Sequence, residues 1–376
     1  MFGIDFIKED LIDNLKNINI NIIVVFCSIF LVGEGLLYSA GSGGLYHWAS
    51  KQLIFFIIFF LFALLIAVVD INVFFKFSYV FYFVGLLLLL IVEIKGHKAM
   101  GATRWINAGL FKLQPSEIMK VCLILQLGKI FQSYNLKDIR SNKKIIIPVL
   151  YFIAPFILIL RQPNLGTALI LAFITLGIFF LVGVEMWKFW VVLVVSVVLL
   201  PFVWSYGLKD YQKQRVLTFL NPEDDPLNSG YNIIQSKIAI GSGGTWGKGF
   251  LKGTQGQLEF LPEKHTDFVF TILCEEFGLV GSFFVIILYI IYFIYLICVT
   301  ANCKHTFGRV IVGGILLNTF CHFFMNLGMI SGILPVIGTP LPLLSYGGSI
   351  TATTLISLGL VLNVDINKYK ELKLVS

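Results

Sequence analysis

Charge is scarce in this chain. Only 13% of its 376 residues are Asp, Glu, Lys or Arg, while 57% are hydrophobic, which leaves too little polar surface for a water-soluble protein of this length. Paired cysteines are absent as well. Cys27, Cys122, Cys274, Cys298, Cys303 and Cys321 are scattered, all but Cys303 lie inside apolar runs, and none forms a CxxC pair; this argues against a disulfide framework and a zinc site. The first 20 residues carry no signal-peptide pattern with a cleavage site, so the first apolar run is expected to be an uncleaved anchor. There is no repeat of fixed period and no low-complexity region. The Gly-rich stretch GSGGTWGKG, Gly241 to Gly249, fails the phosphate-loop pattern: Ser242 stands where the first glycine belongs, and Gly249 where Ser or Thr should follow Lys248. A turn or close-packed loop is expected there instead.

What the chain has in abundance is long apolar runs. Several match the roughly 20 residues that cross the hydrocarbon core as a helix, and they are continuous, unlike the short alternating segments of a membrane barrel. The fold class expected is an all-α polytopic membrane protein forming a single domain over residues 1–376. About ten spans are expected, near 19–40, 51–70, 75–94, 115–133, 145–161, 165–183, 188–206, 267–300, 308–331 and 346–364. The formal net charge of +7 then reads as basic loops facing anionic lipid, not as a nucleic-acid surface.

Basic residues in short loops set orientation. Lys137, Arg140, Lys143 and Lys144 follow span four, Lys304 and Arg309 follow span eight, and Lys368, Lys370 and Lys373 lie in the tail. Ten spans with both termini cytoplasmic place all of these inside. Two longer loops then lie outside: residues 93–114, and a large extracytoplasmic segment of about 207–266 between spans seven and eight. The first carries Lys95, Lys98, Arg104 and Lys112 against the trend. It is either an exception to a statistical rule or charge kept outside to hold an anion such as a phosphate.

A few ionisable groups lie inside or beside the spans. Glu117 and Lys120 are three apart and share a helix face, as a structural ion pair or as groups facing a pathway. Glu275 and Glu276 lie within span eight; being adjacent they point different ways, and at least one is expected to pair with a base on a neighbouring helix. Glu34 receives no role. Pro335, Pro340 and Pro342 interrupt ILPVIGTPLPLLSYGGS, as a broken re-entrant segment or as an outer loop. In LPEKHTDFVF, Glu263, Lys264, His265 and Asp267 crowd the start of span eight. Thr266 is a candidate N-cap with Asp267 in the first turn, where an acid is favoured by the helix dipole alone.

Five blocks resemble the SEDS family (shape, elongation, division and sporulation proteins): GATRWINAGLFKLQPSE, RQPNLGTALI, QRVLTFLNPEDDPLNSGYNIIQSKIAIGSGG, GKGFLKGTQGQLEFLPEKHTDFVFTILCEEFGLVGS and LPVIGTPLPLLSYGGS. They look more like its elongation branch than its division branch. Departures are Asn164, where the family often has Asp, and Lys264 in place of a commoner Gln or Ala.

The resemblance implies a peptidoglycan glycosyltransferase of the bacterial cytoplasmic membrane that joins lipid II disaccharides into glycan strands during elongation. It also implies as partners a class B penicillin-binding protein with a transpeptidase domain and other elongation-complex proteins. The family's essential aspartate maps onto Asp267, its Arg and Trp of the first outer loop onto Arg104 and Trp105, and its Glu and Lys after QPS onto Glu117 and Lys120. Lys112, His265 and Glu275 complete the expected substrate-contacting set. The acceptor hydroxyl needs a base, and the leaving pyrophosphate needs cations such as Arg104, Lys112 or Lys120. A divalent cation, Mg or Mn, could serve instead or as well. With one carboxylate and direct attack, inversion at the anomeric carbon is expected. The rival readings are a lipid II flippase or transporter, a scaffold that only recruits an enzyme, and the division-type member of the family.

Overall fold

In lipid a backbone N–H or C=O has no water partner, so long apolar runs satisfy themselves as helices. The computed structural model describes residues 17–44, 48–95, 97–99, 102–107, 112–222, 229–254 and 263–372. Helices stand at all ten expected positions: α1 Ile20–Ala40, α2 Ala49–Val68, α3 Ile71–Lys95, α4 Pro115–Gln132, α6 Ile146–Arg161, α7 Leu165–Val182, α8 Met186–Phe202, α11 Val269–Asn302, α12 Thr306–Ile330 and α13 Gly348–Ile366. Eight described segments are long and apolar enough to cross a membrane. Those starting at Pro115 and Ile146 are not among them; the second is apolar but shorter. Short helices α5 Leu136–Arg140, α9 Asp210–Leu220 and α10 Ser229–Ser242 fill connections, and a π-turn Val203–Gly207 extends α8. Between α3 and α4 runs a small antiparallel ribbon of β1 His97–Ala99, β2 Ala102–Asn107 and β3 Lys112–Leu113.

Helix α12 is the hub, packing on α4, α7, α11 and α13, while α13 lies along α2. The two ends of the bundle are tied separately. At one end Asn19 donates to Asp365 (3.2 Å), Lys370 pairs with Asp70 (3.2 Å) and Asn363 Nδ2 caps the Ile66 carbonyl at 2.9 Å. The starts of α4, α7, α11 and α13 gather at the other end with the ribbon. Helix α8 has no buried residue at all, although all but Lys188 and Ser196 of its residues are apolar. Such a face is stable only against lipid, so the chain is a multi-pass membrane protein.

Residues 331–347 hold the proline-rich stretch. They form no regular helix, yet Leu341, Leu343 and Leu344 are buried. Their backbone groups are met by side chains from the surrounding helices: Tyr289 donates to the Pro342 carbonyl and Gln52 to that of Ser345 (3.1 Å). Irregular backbone away from water must find its partners inside the protein, and this stretch does so.

The second glutamate pair is a latch. Glu275, on α11, accepts from Lys248 (2.7 Å) and Thr254 (3.0 Å), while Ser39 donates to Glu276. The backbone of Lys248 and Gly249 caps the carbonyls of Glu275 and Glu276 at 3.0 and 2.9 Å, just before α11 bends at Gly278, whose dihedrals are non-helical. GSGGTWGKG is thus the close-packed loop expected. The base that pairs with Glu275 comes from this loop, where a neighbouring helix was expected to supply it.

Candidate functional site

Asp267 lies in a turn of residues 263–268 that leads into α11. The expected N-cap does not form. The helix starts at Val269 with no side-chain cap, and the Thr266 hydroxyl turns to Glu263, meeting its backbone carbonyl at 3.2 Å and its carboxylate at 3.0 Å. Asp267 therefore stands before the helix and is not part of its first turn. Its backbone is held by Asn326, a fully buried residue of α12 whose amide donates to the carbonyls of both Asp267 and Thr339, each at 2.8 Å. Its carboxylate faces Gly338. That glycine has φ 77°, and a Cβ there would stand 3.3 Å from Oδ2. A side chain at 338 would be strained and would crowd the carboxylate, so glycine keeps the approach clear.

Burial, and then the neighbouring Glu263, raise the Asp267 carboxyl from 3.8 to about 7, against the pull of Arg215. Such a carboxyl is a stronger base than an exposed one. His265 does not orient it. Its ring stacks on Trp48, with centroids 4.3 Å apart and planes within 8°, and its carbonyl accepts from the Tyr346 N–H (2.8 Å). Burial holds the imidazole below its usual pKa, Glu263 opposes this and Lys264 adds to it, so it is neutral at pH 7.

Arg104, on β2, donates to the Pro163 carbonyl, which also accepts from Tyr211 of α9 at 2.8 Å. Burial depresses its pKa, Tyr211 counters this and Arg215 adds to it; a guanidinium stays charged regardless. Trp105 is the next residue of the strand and projects from its other face; it is half-buried. Lys112 has an exposed side chain, and its carbonyl accepts from Ser349 at the start of α13 (2.7 Å).

Glu117 and Lys120 are buried on α4, with Lys120 wholly enclosed. The ammonium lies 2.9 Å from Glu117 and 2.7 Å from His322 Nε2, and His322 Nδ1 lies 3.2 Å from the Pro340 carbonyl. A carbonyl only accepts, so Nδ1 carries the proton and Nε2 accepts from Lys120. The Lys120 charge is thus directed at Glu117 and His322, and through His322 the pair holds the segment beside Asp267. The structure brings together Asp267, Arg104 and the Glu117–Lys120 pair around residues 335–340. Glu275 sits apart in its latch, and Lys112 is turned to the surface.

Four contributors escaped the sequence reading: Tyr211, Arg215, His322 and Asn326. Two had a readable signal, since His322 and Asn326 are polar residues four apart inside an apolar run and so share one helix face. Among the described residues no three His, Cys, Asp or Glu side chains converge. Glu263 is the acid beside Asp267.

Comparison with known proteins agrees with this geometry. Residues 15–370 match the model of the FtsW/RodA/SpoVE family, described as cell cycle proteins. The chain belongs to this family. It is 42% identical over 287 residues to peptidoglycan glycosyltransferase MrdB of Escherichia coli K12, covering 76% of this chain and 77% of that one. It is 31% identical to peptidoglycan glycosyltransferase RodA of Treponema pallidum, covering 92% and 96%. A chain solved in work on how a peptidoglycan synthase complex coordinates polymerization and crosslinking superposes with a TM-score of 0.83 at 30% identity, covering 94% of this chain and 99% of that one.

Proposed function

We propose that this peptidoglycan glycosyltransferase of cell elongation and shape polymerises lipid II at the bundle end that holds Asp267. Asp267 takes the proton of the acceptor's 4-hydroxyl as that oxygen attacks the anomeric carbon of the donor. The bond from that carbon to the diphosphate oxygen breaks, the lipid diphosphate leaves with the electron pair, and the anomeric centre inverts. The proton on Asp267 then passes to water. The observation that carries this reading is a half-buried carboxyl held at about 7 between Glu263 and Arg215, on a turn fixed by Asn326. A positioned base of matched pKa contributes about 10²–10⁴-fold.

Both termini are cytoplasmic in this reading, so the Asp267 end faces outward, where the disaccharide is. The chain works beside a class B penicillin-binding protein, which crosslinks the strand it makes; the fold likeness to a chain studied in a polymerizing and crosslinking complex supports this. Among the described residues, a divalent cation at the site would meet the carboxylates of Asp267 and Glu263. That suits Mg²⁺ drawing its other ligands from water and substrate phosphates, and it would supply further charge stabilisation of the leaving group. Lengthening of lipid II by the purified chain, lost in Asp267→Asn, is the test. A chain that only moves lipid II across the bilayer would produce no glycan.

A further inference from the structure

A cavity of about 230 Å³ at the Asp267 end is lined by Arg104 and Arg215 and belongs to the site already described. A larger one, of about 530 Å³, lies between α6, α7 and α8 toward the other end of the bundle. Its walls are apolar. Val149, Phe152 and Phe156 supply one face of α6, Ala172 and Phe179 one face of α7, and Val192 the facing side of α8; residues three, four or seven apart stay on one side of a helix. The Thr175 hydroxyl in the wall donates to the Leu171 carbonyl at 2.8 Å. Water finds too few polar partners in such a space, and left unfilled it would cost the lining its dispersion contacts.

The cavity exists because α8 stands off its neighbours. The start of that helix is tied down: Lys188 Nζ donates to the Arg140 carbonyl at 2.8 Å, and Phe189 meets Phe180 of α7 edge-on with ring centroids 6.3 Å apart. No residue of α8 is buried, and the gap between it and α6 and α7 is the cavity.

Length and charge identify the occupant. From Ile145 to Phe156 the lining face of α6 runs roughly 16 Å, at about 1.5 Å per residue. That is close to half of the roughly 30 Å hydrocarbon core, the reach of one acyl chain from its headgroup to the bilayer midplane. Asn142, Trp187 and Lys188 line the mouth, and the basic residues around Asn142 flank it. Arg140 and Lys143 are exposed and form no ion pair among the described residues, whereas Lys144 pairs with Asp138 (2.8 Å) and Lys188 with Glu185 (3.4 Å). Four bases against two acids leave the mouth positive, and basic pockets between transmembrane helices hold anionic headgroups. The Trp187 indole donates to Glu185 at 2.9 Å, at the level where such rings sit in a membrane interface.

We infer that this cavity binds an anionic glycerophospholipid, with one acyl chain between α6, α7 and α8 and the phosphate held by Arg140, Asn142 and Lys143. The lipid gives α8 the packed inner face that the protein itself does not supply. The mouth is at the end opposite Asp267, so in the orientation proposed above the lipid comes from the cytoplasmic leaflet; the site itself does not depend on the glycosyltransferase reading.

The test is native mass spectrometry of the purified full chain in detergent, titrated with dioleoyl phosphatidylglycerol or dioleoyl phosphatidylcholine, with melting temperatures measured alongside. Wild type should retain one phosphatidylglycerol in preference to phosphatidylcholine, and that lipid should raise its melting temperature. The double variant Arg140→Gln, Lys143→Gln should lose at least about fivefold of the preference, the share of one basic residue beside an anionic headgroup, with phosphatidylcholine retention unchanged. Ala172→Phe, which puts a ring into the cavity, should lose both the retained lipid and its effect on melting. Equal retention of the two lipids by wild type, or an undiminished preference in the double variant, overturns the assignment. So does an Ala172→Phe chain that is folded and still retains phosphatidylglycerol. Displacement of the retained lipid by an equal concentration of a polyprenyl phosphate overturns it as well, because the cavity would then belong to a polyprenyl chain. The double variant changes only an exposed loop, so it decides the matter if Ala172→Phe does not fold.

Discussion

At the scale of single residues, Asp267 is set between opposing neighbours. Glu263 raises its pKa and Arg215 lowers it, so the two charges should move the pH profile in opposite directions. In Glu263→Gln the acid limb of the polymerisation rate should shift to lower pH, and in Arg215→Gln to higher pH; rate–pH profiles check both, and shifts of the same sign would contradict the arrangement. Stability carries its own signature. A carboxyl whose pKa rises from 3.8 to about 7 on folding binds more protons folded than unfolded across that window. Stability contributed by its protonated form is therefore full below about 4 and is lost as pH rises through about 7. Asp267→Asn removes this penalty, so its melting temperature should exceed that of wild type by a margin that widens from pH 5 to pH 8.

At the scale of elements, the site depends on how α12 grips the proline-rich segment of residues 331–347. Asn326 and His322 hold the carbonyls of Thr339 and Pro340, and Asn326 also holds that of Asp267. Asn326→Leu leaves both carbonyls without their donor and should cost about 1–3 kcal/mol of stability. Polymerisation should fall more than lipid II affinity does, a kcat loss with KM little changed. Lys120→Met leaves Glu117 charged and buried alone, a change worth about 3–5 kcal/mol, and is expected to lower folded yield before it reports on chemistry. Adding Glu117→Gln to Lys120→Met should recover much of that yield, as measured by thermal melting in detergent.

These elements also show what sequence could and could not supply. Helix ends were legible to within a few residues because runs such as Leu165–Val182 must satisfy their own backbone in lipid. Arg104 and Asp267 were legible through the blocks around them. His322 and Asn326 were marked only as polar residues on one face of an apolar helix; their partners at residues 340 and 267, like that of Arg215 at residue 337, lie too far along the chain to leave a local mark. The role expected of Thr266 failed for a related reason: Glu263, three residues back, competes for its hydroxyl. The Glu117–Lys120 ion pair was one of the two readings their spacing allowed; the enclosure of Lys120 by His322 is a property of packing that the sequence does not mark.

At the scale of the whole molecule, one end of a lipid-facing bundle carries a carboxyl of near-neutral pKa, the buried proline-rich segment and a cationic cavity. The opposite end is closed by ion pairs and capped carbonyls. This polarity fits a substrate whose tail stays in the bilayer while its sugars react at the surface, and all of it rests on the role given to Asp267. The most direct measurement is the rate at which purified wild type and Asp267→Asn, each shown folded by thermal melting, polymerise lipid II at pH 8, above the wild-type carboxyl's pKa of about 7. A rate at least about a hundredfold lower in the variant, with lipid II binding retained, is predicted for the loss of a general base. A folded Asp267→Asn that polymerises at the wild-type rate would contradict it.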